Sequence, residues 1–401
     1  MFFAWFMLLV YLILTAYIFW RTSHWAGLVL PPLKKAGMRI AWLCFLLLAD
    51  STLLLGAFLP DSPTQALIHK VGNVWLAIFI FAFTYILLMD ILVLILKLIH
   101  HYRASFRLPK GRGAALAAGL CVVLLTAGST VYGTIHAKQI QVADYDITVE
   151  QQADGPEELN VVLLGDLHMG YSIRSDMIAQ LVEKVNALEP DLIVVAGDFF
   201  DNDFDALDDP EEITRLLGSL QATYGVYGVF GNHDVAETLV GGFSTTPKSE
   251  AFRDSRMEDL LLDAGITLLD DAVTSPLDGI TLIGRLDGEK AGDGTDNRAP
   301  IEALIAQCDR DDTLLLLCHE PTELHECAAA GVDVMLCGHT HAGQFFPLTL
   351  TCPFVWENYW GMKVIDSMYS FVTSGVGVYG PAVRLGTDSE IMNIHIQFKE
   401  A

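Results

Sequence analysis

The sequence predicts an α/β domain, built on buried sheets, behind an all-α region of four membrane-length helices. Three observations carry this reading: where the apolar residues lie, how charge divides the chain, and how strand-length runs alternate with helical patterns. Of the 401 residues 52% are hydrophobic, and the mean hydropathy is +0.40, above what a soluble chain of this size carries. The excess sits in residues 2–20, 40–59, 74–99 and 114–135, each near or above the roughly 20 residues that cross a bilayer as a helix. The first stretch lacks the basic start of a cleaved signal peptide, and three more follow it, so all four are expected to span.

Charge changes sign at the same place. Residues 1–138 hold 11 Lys/Arg and 3 Asp/Glu, net +8, whereas residues 139–401 hold 13 basic and 46 acidic groups, net −33. The expected domains are therefore a four-helix transmembrane anchor over 1–138 and a separate acidic domain over 139–401. Arg21, Lys34, Lys35 and Arg39 follow the first apolar stretch, and Lys97, Arg103, Arg107, Lys110 and Arg112 follow the third, against a lone Lys70 between the second and third. Basic loops stay in the cytoplasm, which puts the acidic domain on the extracytoplasmic side. Asp50 and Asp90 fall inside apolar stretches, where a carboxyl is either functional or hydrogen-bonded within the bundle.

From Asn160 onward, apolar runs of strand length alternate with helical patterns. Residues 161–164, an amphipathic stretch over 176–188 and the run 192–196 form a strand–helix–strand unit. Further runs lie at 226–230, 280–283, 314–317, 332–336 and 370–372, with a short helix over 257–264 before Gly265 and a loop over 241–247. Five of these runs end in polar groups flanked by small residues. They are "GDLHMG" with Asp166 and His168, "GDFFD" with Asp198 and Asp201, "GNHD" with Asn232, His233 and Asp234, "CHEP" with His319, and "GHTH" with His339 and His341. Ligands bind at the carboxyl edge of open α/β sheets, and glycine lets the loops approach closely.

The donor types decide the chemistry. Asp and Asn oxygens mixed with imidazoles, and no thiolate required, suit divalent Mn, Fe, Zn or Ni. The set exceeds what one tetrahedral ion takes, and two ions sharing a bridging carboxylate would use it. Such a pair, about 3.5–4 Å apart, clamps a phosphoryl group and makes a metal-bridging hydroxide available near neutral pH.

These blocks resemble the calcineurin-like metallophosphoesterase superfamily, whose order is Asp-x-His, Gly-Asp, Gly-Asn-His-Asp/Glu, His, Gly-His-x-His. The resemblance covers roughly residues 160–398, and "GHTHAGQ" with "GPAVRLGTDSEI" is most similar to its membrane-associated bacterial branch. It implies a sandwich of two mixed β-sheets flanked by helices. It also implies one ion on Asp166, His168, Asp198 and His341, a second on Asp198, Asn232, His319 and His339, and Asp198 as the bridge. His233 would then face the substrate, oriented by Asp201 or Asp234.

Weaker features are read more plainly. The run "DNDFDALDDPEE" over 201–212 has oxygen side chains near EF-hand offsets but Ala206 where the turn needs glycine, and is expected to be a solvated acidic loop. Phe354, Trp356, Tyr359 and Trp360 read as core packing, or else as a wall receiving a lipid or sugar. Of seven cysteines, Cys44 and Cys121 fall in apolar stretches. The others, Cys308, Cys318, Cys327, Cys337 and Cys352, show no CxxC spacing, and Cys318 and Cys337 are expected to pack. So acidic a domain disfavours nucleic acid; local positive charge for an anionic substrate is expected from the metals, helped by Arg285 or Arg384. The function expected is hydrolysis of phosphoesters, on phospholipids or cell-envelope phosphodiesters, by a domain tethered at the bilayer. The alternative is a non-catalytic membrane sensor or scaffold with an esterase-like fold.

Overall fold

The computed structural model describes all residues except 1, 60–61, 104, 108, 152–154, 238, 241–242, 245, 247–249, 293–297 and 401. It divides into two compact units, residues 1–134 with 239–245, and residues 135–238 with 246–401.

The first unit is built on α1 (Phe2–Val29), α2 (Ala36–Phe58), α3 (Pro63–Tyr102) and α4 (Gly111–His136). All four are long and apolar enough to cross a membrane. Helix α3 starts well before its apolar run because Ser62 caps it, accepting from the Gln65 N–H at 3.2 Å, with Pro63 in the first turn. Both intrahelical carboxylates are satisfied by α1. Asp50 accepts from Tyr11 at 2.9 Å and Thr15 at 2.8 Å, and also from the Trp75 indole of α3 at 2.8 Å. Asp90 accepts from Tyr17 at 2.6 Å and pairs with Arg21. Hydrogen bonding within the bundle, one of the two readings of these carboxyls, is what the structure has.

The second unit opens with β1 (Ile140–Gln151), β2 (Glu158–Leu164), α5 (Ser175–Asn186), β3 (Leu192–Ala196), α6 (Pro210–Leu217) and β4 (Val226–Val229). A small antiparallel pair, β5 (Leu239–Val240) with β6 (Phe243–Ser244), groups with the first unit; β6 falls inside the stretch expected to be a loop, and the rest of 241–247, apart from Thr246, lies outside the described residues. Next come α7 (Ser255–Asp263), β7 (Thr267–Leu268), β8 (Ala272–Leu277), β9 (Ile280–Gly284), α8 (Ile301–Ile305), β10 (Thr313–Leu317), α9 (Leu324–Ala330) and β11 (Val334–Cys337). The chain closes with β12 (Gly361–Ile365), β13 (Met368–Val372) and β14 (Ser389–Glu400).

Two mixed six-stranded sheets result, ordered β1-β14-β2-β3-β4-β7 and β12-β13-β11-β10-β9-β8. Strand runs without polar interruption are what a sheet buried on both faces requires. In β2 and β3, Val161, Leu163, Leu192 and Val194 face the space between the sheets, while Val162, Leu164, Ile193 and Val195 face the layer of α5, α6 and α7. The second sheet repeats this, with Leu315, Leu317 and Val334 turned inward and Leu316, Met335 and Cys337 toward α8 and α9. The outcome is helices, sheet, sheet, helices. Strands β2, β3 and β4 are parallel neighbours, as are β9, β10 and β11, so their carboxyl ends deliver the polar loops together.

Candidate metal centre

Each block emerges where its strand stops, and the chain turns sharply there. Asp166 (φ 52°), His168 (φ 45°), Asp198 (φ 53°), His339 (φ 73°) and His341 (φ 49°) all hold left-handed backbone. Side-chain-bearing residues adopt it at a cost on the order of 1–3 kcal/mol each, and only where the surroundings over-determine them. Glycine makes room at the tightest approaches. A Cβ on Gly231 would lie 2.2 Å from Asp198 Oδ1, and one on Gly197, itself at φ 79°, would lie 2.8 Å from His319 Nδ1.

The side chains then converge in two groups. His168 Nε2 and His341 Nε2 are 3.0 Å apart, with Asp166 Oδ1 3.7 Å from His341 Nε2. His319 Nε2 and His339 Nδ1 are 3.1 Å apart, and both lie against Asn232 Oδ1, at 2.9 and 3.2 Å. Asp198 Oδ2 sits between the groups, 3.5 Å from His168 Nε2 and 3.3 Å from His319 Nε2. Asp166, His168 and His341 form a trio able to hold an ion, as do Asp166, Asp198 and His319.

The donor set fits divalent cations. Burial pushes His168 down to about 4 and His339 to about 3, and holds His341 well below the ordinary value, so these rings are neutral ligands. Burial raises Asp166 to about 7, helped by neighbouring Asp198 against the pull of His319. Desolvation opposes charge on both His319 and Asp198, yet their attraction leaves His319 raised and Asp198 well lowered. His319 directs Nδ1 at the Ala196 carbonyl, 2.7 Å away, which turns Nε2 into the centre. Nitrogens aimed at one another at 3.0 Å in a buried site are an arrangement that shared cations relieve.

His233 stands apart from these groups. Its ring is half-buried and its backbone N–H donates to Asp198 Oδ1 at 2.8 Å. Its Nδ1 faces Asn202 Oδ1 at 2.5 Å, neither Asp201 nor Asp234. Both carboxylates expected to orient it are engaged elsewhere. Asp234 is fully buried and accepts the backbone N–H groups of Phe200 (2.9 Å) and Gly231 (2.7 Å), which ties the two loops together. Asp201 turns to the opposite imidazole, its Oδ1 3.8 Å from His168 Nδ1. The amide oxygen of Asn202 only accepts, so His233 Nδ1 carries hydrogen and Nε2 is left for a ligand. Burial lowers His233 to about 3.

Three further residues shape the site. Tyr379 lies with its ring 4.4 Å from that of His233 and 5.5 Å from that of His168. Gln344 holds the Tyr379 loop: its amide donates to the Tyr379 and Pro381 carbonyls at 3.1 and 2.9 Å and accepts the Tyr379 N–H at 2.9 Å. With Asn202 these complete the site. Gln344 ends "GHTHAGQ", Asn202 follows "GDFFD" and Tyr379 precedes "GPAVRLGTDSEI", so position next to a block was the signal for all three.

The lesser expectations divide. Arg384 is fully buried and donates to the carbonyls of Ser374, Gly375 and Gly377, and Arg285 pairs with Glu323 and the Ala299 carbonyl, so neither is free to meet an anion. In the acidic run, Asp203 and Asp209 cap a helical turn and α6, while Asp208 accepts from Ser175, so these carboxylates serve local structure. The aromatic cluster is not core: Phe354 is 90% exposed and Trp360 49%, while Trp356 lies edge-on to His339 at 5.2 Å. Cys318 and Cys337 are buried free thiols 3.4 Å apart.

Comparison with known proteins agrees with this geometry. Residues 159–343 match the family model of calcineurin-like phosphoesterases. The chain is 31% identical over 287 residues to a "Transmembrane protein with metallophosphoesterase domain" of Danio rerio, covering 68% of this chain and 61% of that protein. To the protein of the same name in Bos taurus it is 30% identical over 305 residues, covering 74% and 66%. It thus spans somewhat under two thirds of the length of these relatives. An "Uncharacterized metallophosphoesterase" of Helicobacter pylori (strain J99) is 27% identical over 242 residues, covering 60% of each chain. Residues 159–343 thus match calcineurin-like phosphoesterases at the strand ends whose Asp and His residues can hold metal.

Proposed function

We propose that residues 139–401 hydrolyse phosphoester bonds with two divalent ions, Mn, Fe, Zn or Ni, and that residues 1–138 anchor this domain in the membrane. The observation that carries the two-ion reading is Asp198 Oδ2, which faces an imidazole of each group at 3.5 and 3.3 Å. Asp166, His168, Asp198 and His341 would hold one ion, and Asp198, Asn232, His319 and His339 the other. Bound there, the ions supply Lewis-acid polarisation of the phosphoryl group and lower the pKa of attacking water.

The chain's own groups do the rest. His233 presents Nε2 toward the substrate, while Asn202 fixes its ring and tautomer through Nδ1. Asp201 backs His168, and Asp234 braces the loops that carry Asp198 and Asn232. Tyr379 walls the His233 side. The substrates proposed are phospholipid or cell-envelope phosphodiesters, because tethering at a bilayer raises the effective concentration of lipid-linked esters. "GHTHAGQ" and "GPAVRLGTDSEI" favour kinship with the membrane-anchored bacterial branch.

Hydrolysis of a nitrophenyl phosphodiester by the purified full chain, with elemental analysis alongside, tests this. The expected result is activity lost on chelation and restored by one of the four metals; metal-loaded protein without hydrolysis would favour the sensor or scaffold. The proposed orientation makes its own prediction. From four and five basic residues in the first and third loops against one in the second, protease added to intact cells should cleave within 139–401. Protection until the membrane is broken reverses the topology.

A further inference from the structure

The loop that follows the last histidine pair is apolar, outward-facing and held in place. Residues 345–356, FFPLTLTCPFVW, contain no charged side chain, within a domain of net charge −33. Two helical turns, Leu348–Leu350 and Cys352–Phe354, shape it. Phe345 (2% exposed) and Cys352 (8%) pin it inward, and the Phe346 N–H donates to the Leu385 carbonyl at 2.9 Å. Of its other large side chains, Leu350 is 60% exposed, Phe354 90% and Val355 69%, while Phe346 and Trp356 are half-buried. The chain then continues through Trp360, Met362 and Val364, exposed by 49%, 42% and 52%. So dense an apolar surface on a rigid loop marks a place of contact.

The loop belongs to the rim of the metal centre. It starts two residues after the turn His341–Gly343, Trp356 lies against the His339 ring, and the Thr340 hydroxyl donates to the Tyr359 carbonyl at 2.6 Å. Whatever covers these side chains therefore sits beside the bound ester.

We propose that this loop docks onto a zwitterionic lipid bilayer, seating Leu350, Phe354 and Val355 among the acyl chains and Trp360 at headgroup level. The inference deepens the phosphoesterase reading, since it makes the substrate a lipid phosphoester met in place, its chains still in the membrane. Three features select a bilayer. The segment has no charge to pair with a protein partner. Aromatic and aliphatic side chains with an indole at their margin match the layering of a membrane interface. The same chain carries four membrane-spanning helices, which keep a bilayer within reach. The acidity of the domain selects net-neutral over anionic lipid.

The full chain, reconstituted in phosphatidylcholine vesicles with Phe354 replaced by p-benzoylphenylalanine, tests this by irradiation and mass spectrometry. The same substitution at Leu262, 51% exposed on α7, is the reference. Expected are lipid adducts at Phe354, background at Leu262, and a lower yield at Phe354 in phosphatidylglycerol vesicles. A crosslinked pair of chains at Phe354, which would make the surface a self-association face, overturns the proposal, as do equal lipid yields at the two positions. Hydrolysis of the soluble nitrophenyl phosphodiester by the unsubstituted chain reports on the enzymatic reading alone, so either idea can fail separately.

Discussion

Asp198→Ala is expected to strip both ion positions and reduce hydrolysis to background. Asp198 Oδ2 is the oxygen facing both imidazole groups, and Oδ1 accepts the His233 backbone N–H at 2.8 Å, so one truncation removes the bridge and loosens the loop bearing Asn232. Even outer-shell changes at metal sites cost about 10–100-fold in affinity, and a bridging ligand should exceed that for both ions. His341→Ala is the comparison. It removes a ligand from the His168 group only, so occupancy should fall chiefly at one position. Elemental analysis of the purified proteins reads the difference. Two metals per chain retained in Asp198→Ala would falsify the bridge assignment.

The second large effect belongs to His233→Asn. His233 contacts neither imidazole group through its ring nitrogens; Nδ1 is committed to Asn202, and the ring lies beside Tyr379. Metal content should therefore stay unchanged. If Nε2 delivers a proton to the departing oxygen, esters with alkoxide leaving groups should slow by on the order of 10²–10⁴-fold. Nitrophenolate departs without a proton, so aryl esters should slow far less. Burial holds His233 at about 3, which leaves the ring neutral at pH 7. It can therefore donate from Nε2 only after the negative charge of a bound phosphoryl group has raised it. Equal losses on both ester types, with metal retained, would instead make the residue a clamp on phosphoryl oxygens. Loss of metal would make it a support for the ligand loops.

Much of the architecture was legible because its causes are local. An apolar run of bilayer length needs no partner to declare itself, and residues 192–196 read as a strand with the bounds the structure gives β3. Helix α5 was visible from its amphipathic period, and Gly265 ends α7 region at φ 78° as a helix-terminating glycine should. The pairing of β1 with β14 is not legible in the sequence. They pair parallel along their whole length, Ile140 opposite Ser389 through Gln151 opposite Glu400; Met392, Ile394, Ile396 and Phe398 alternate with polar residues as a strand should, but alternation does not name a partner some 250 residues away.

The donor inventory of the metal centre was likewise a property of sequence alone. Each Asp, Asn or His follows its own strand, and parallel strands carry their carboxyl ends to one edge, so order along the chain becomes convergence in space. Which group faces which was decided only by tertiary structure. Asp234, adjacent to His233 in sequence, points its carboxylate at the backbone of Phe200 and Gly231, while Asn202, 31 residues away, takes the imidazole. His168 meets His341 across 173 residues. Residue type and strand position specify what a site can be made of, but side-chain direction depends on left-handed turns, packed neighbours and buried donors that must each find a partner, and those are fixed only when distant segments close on one another.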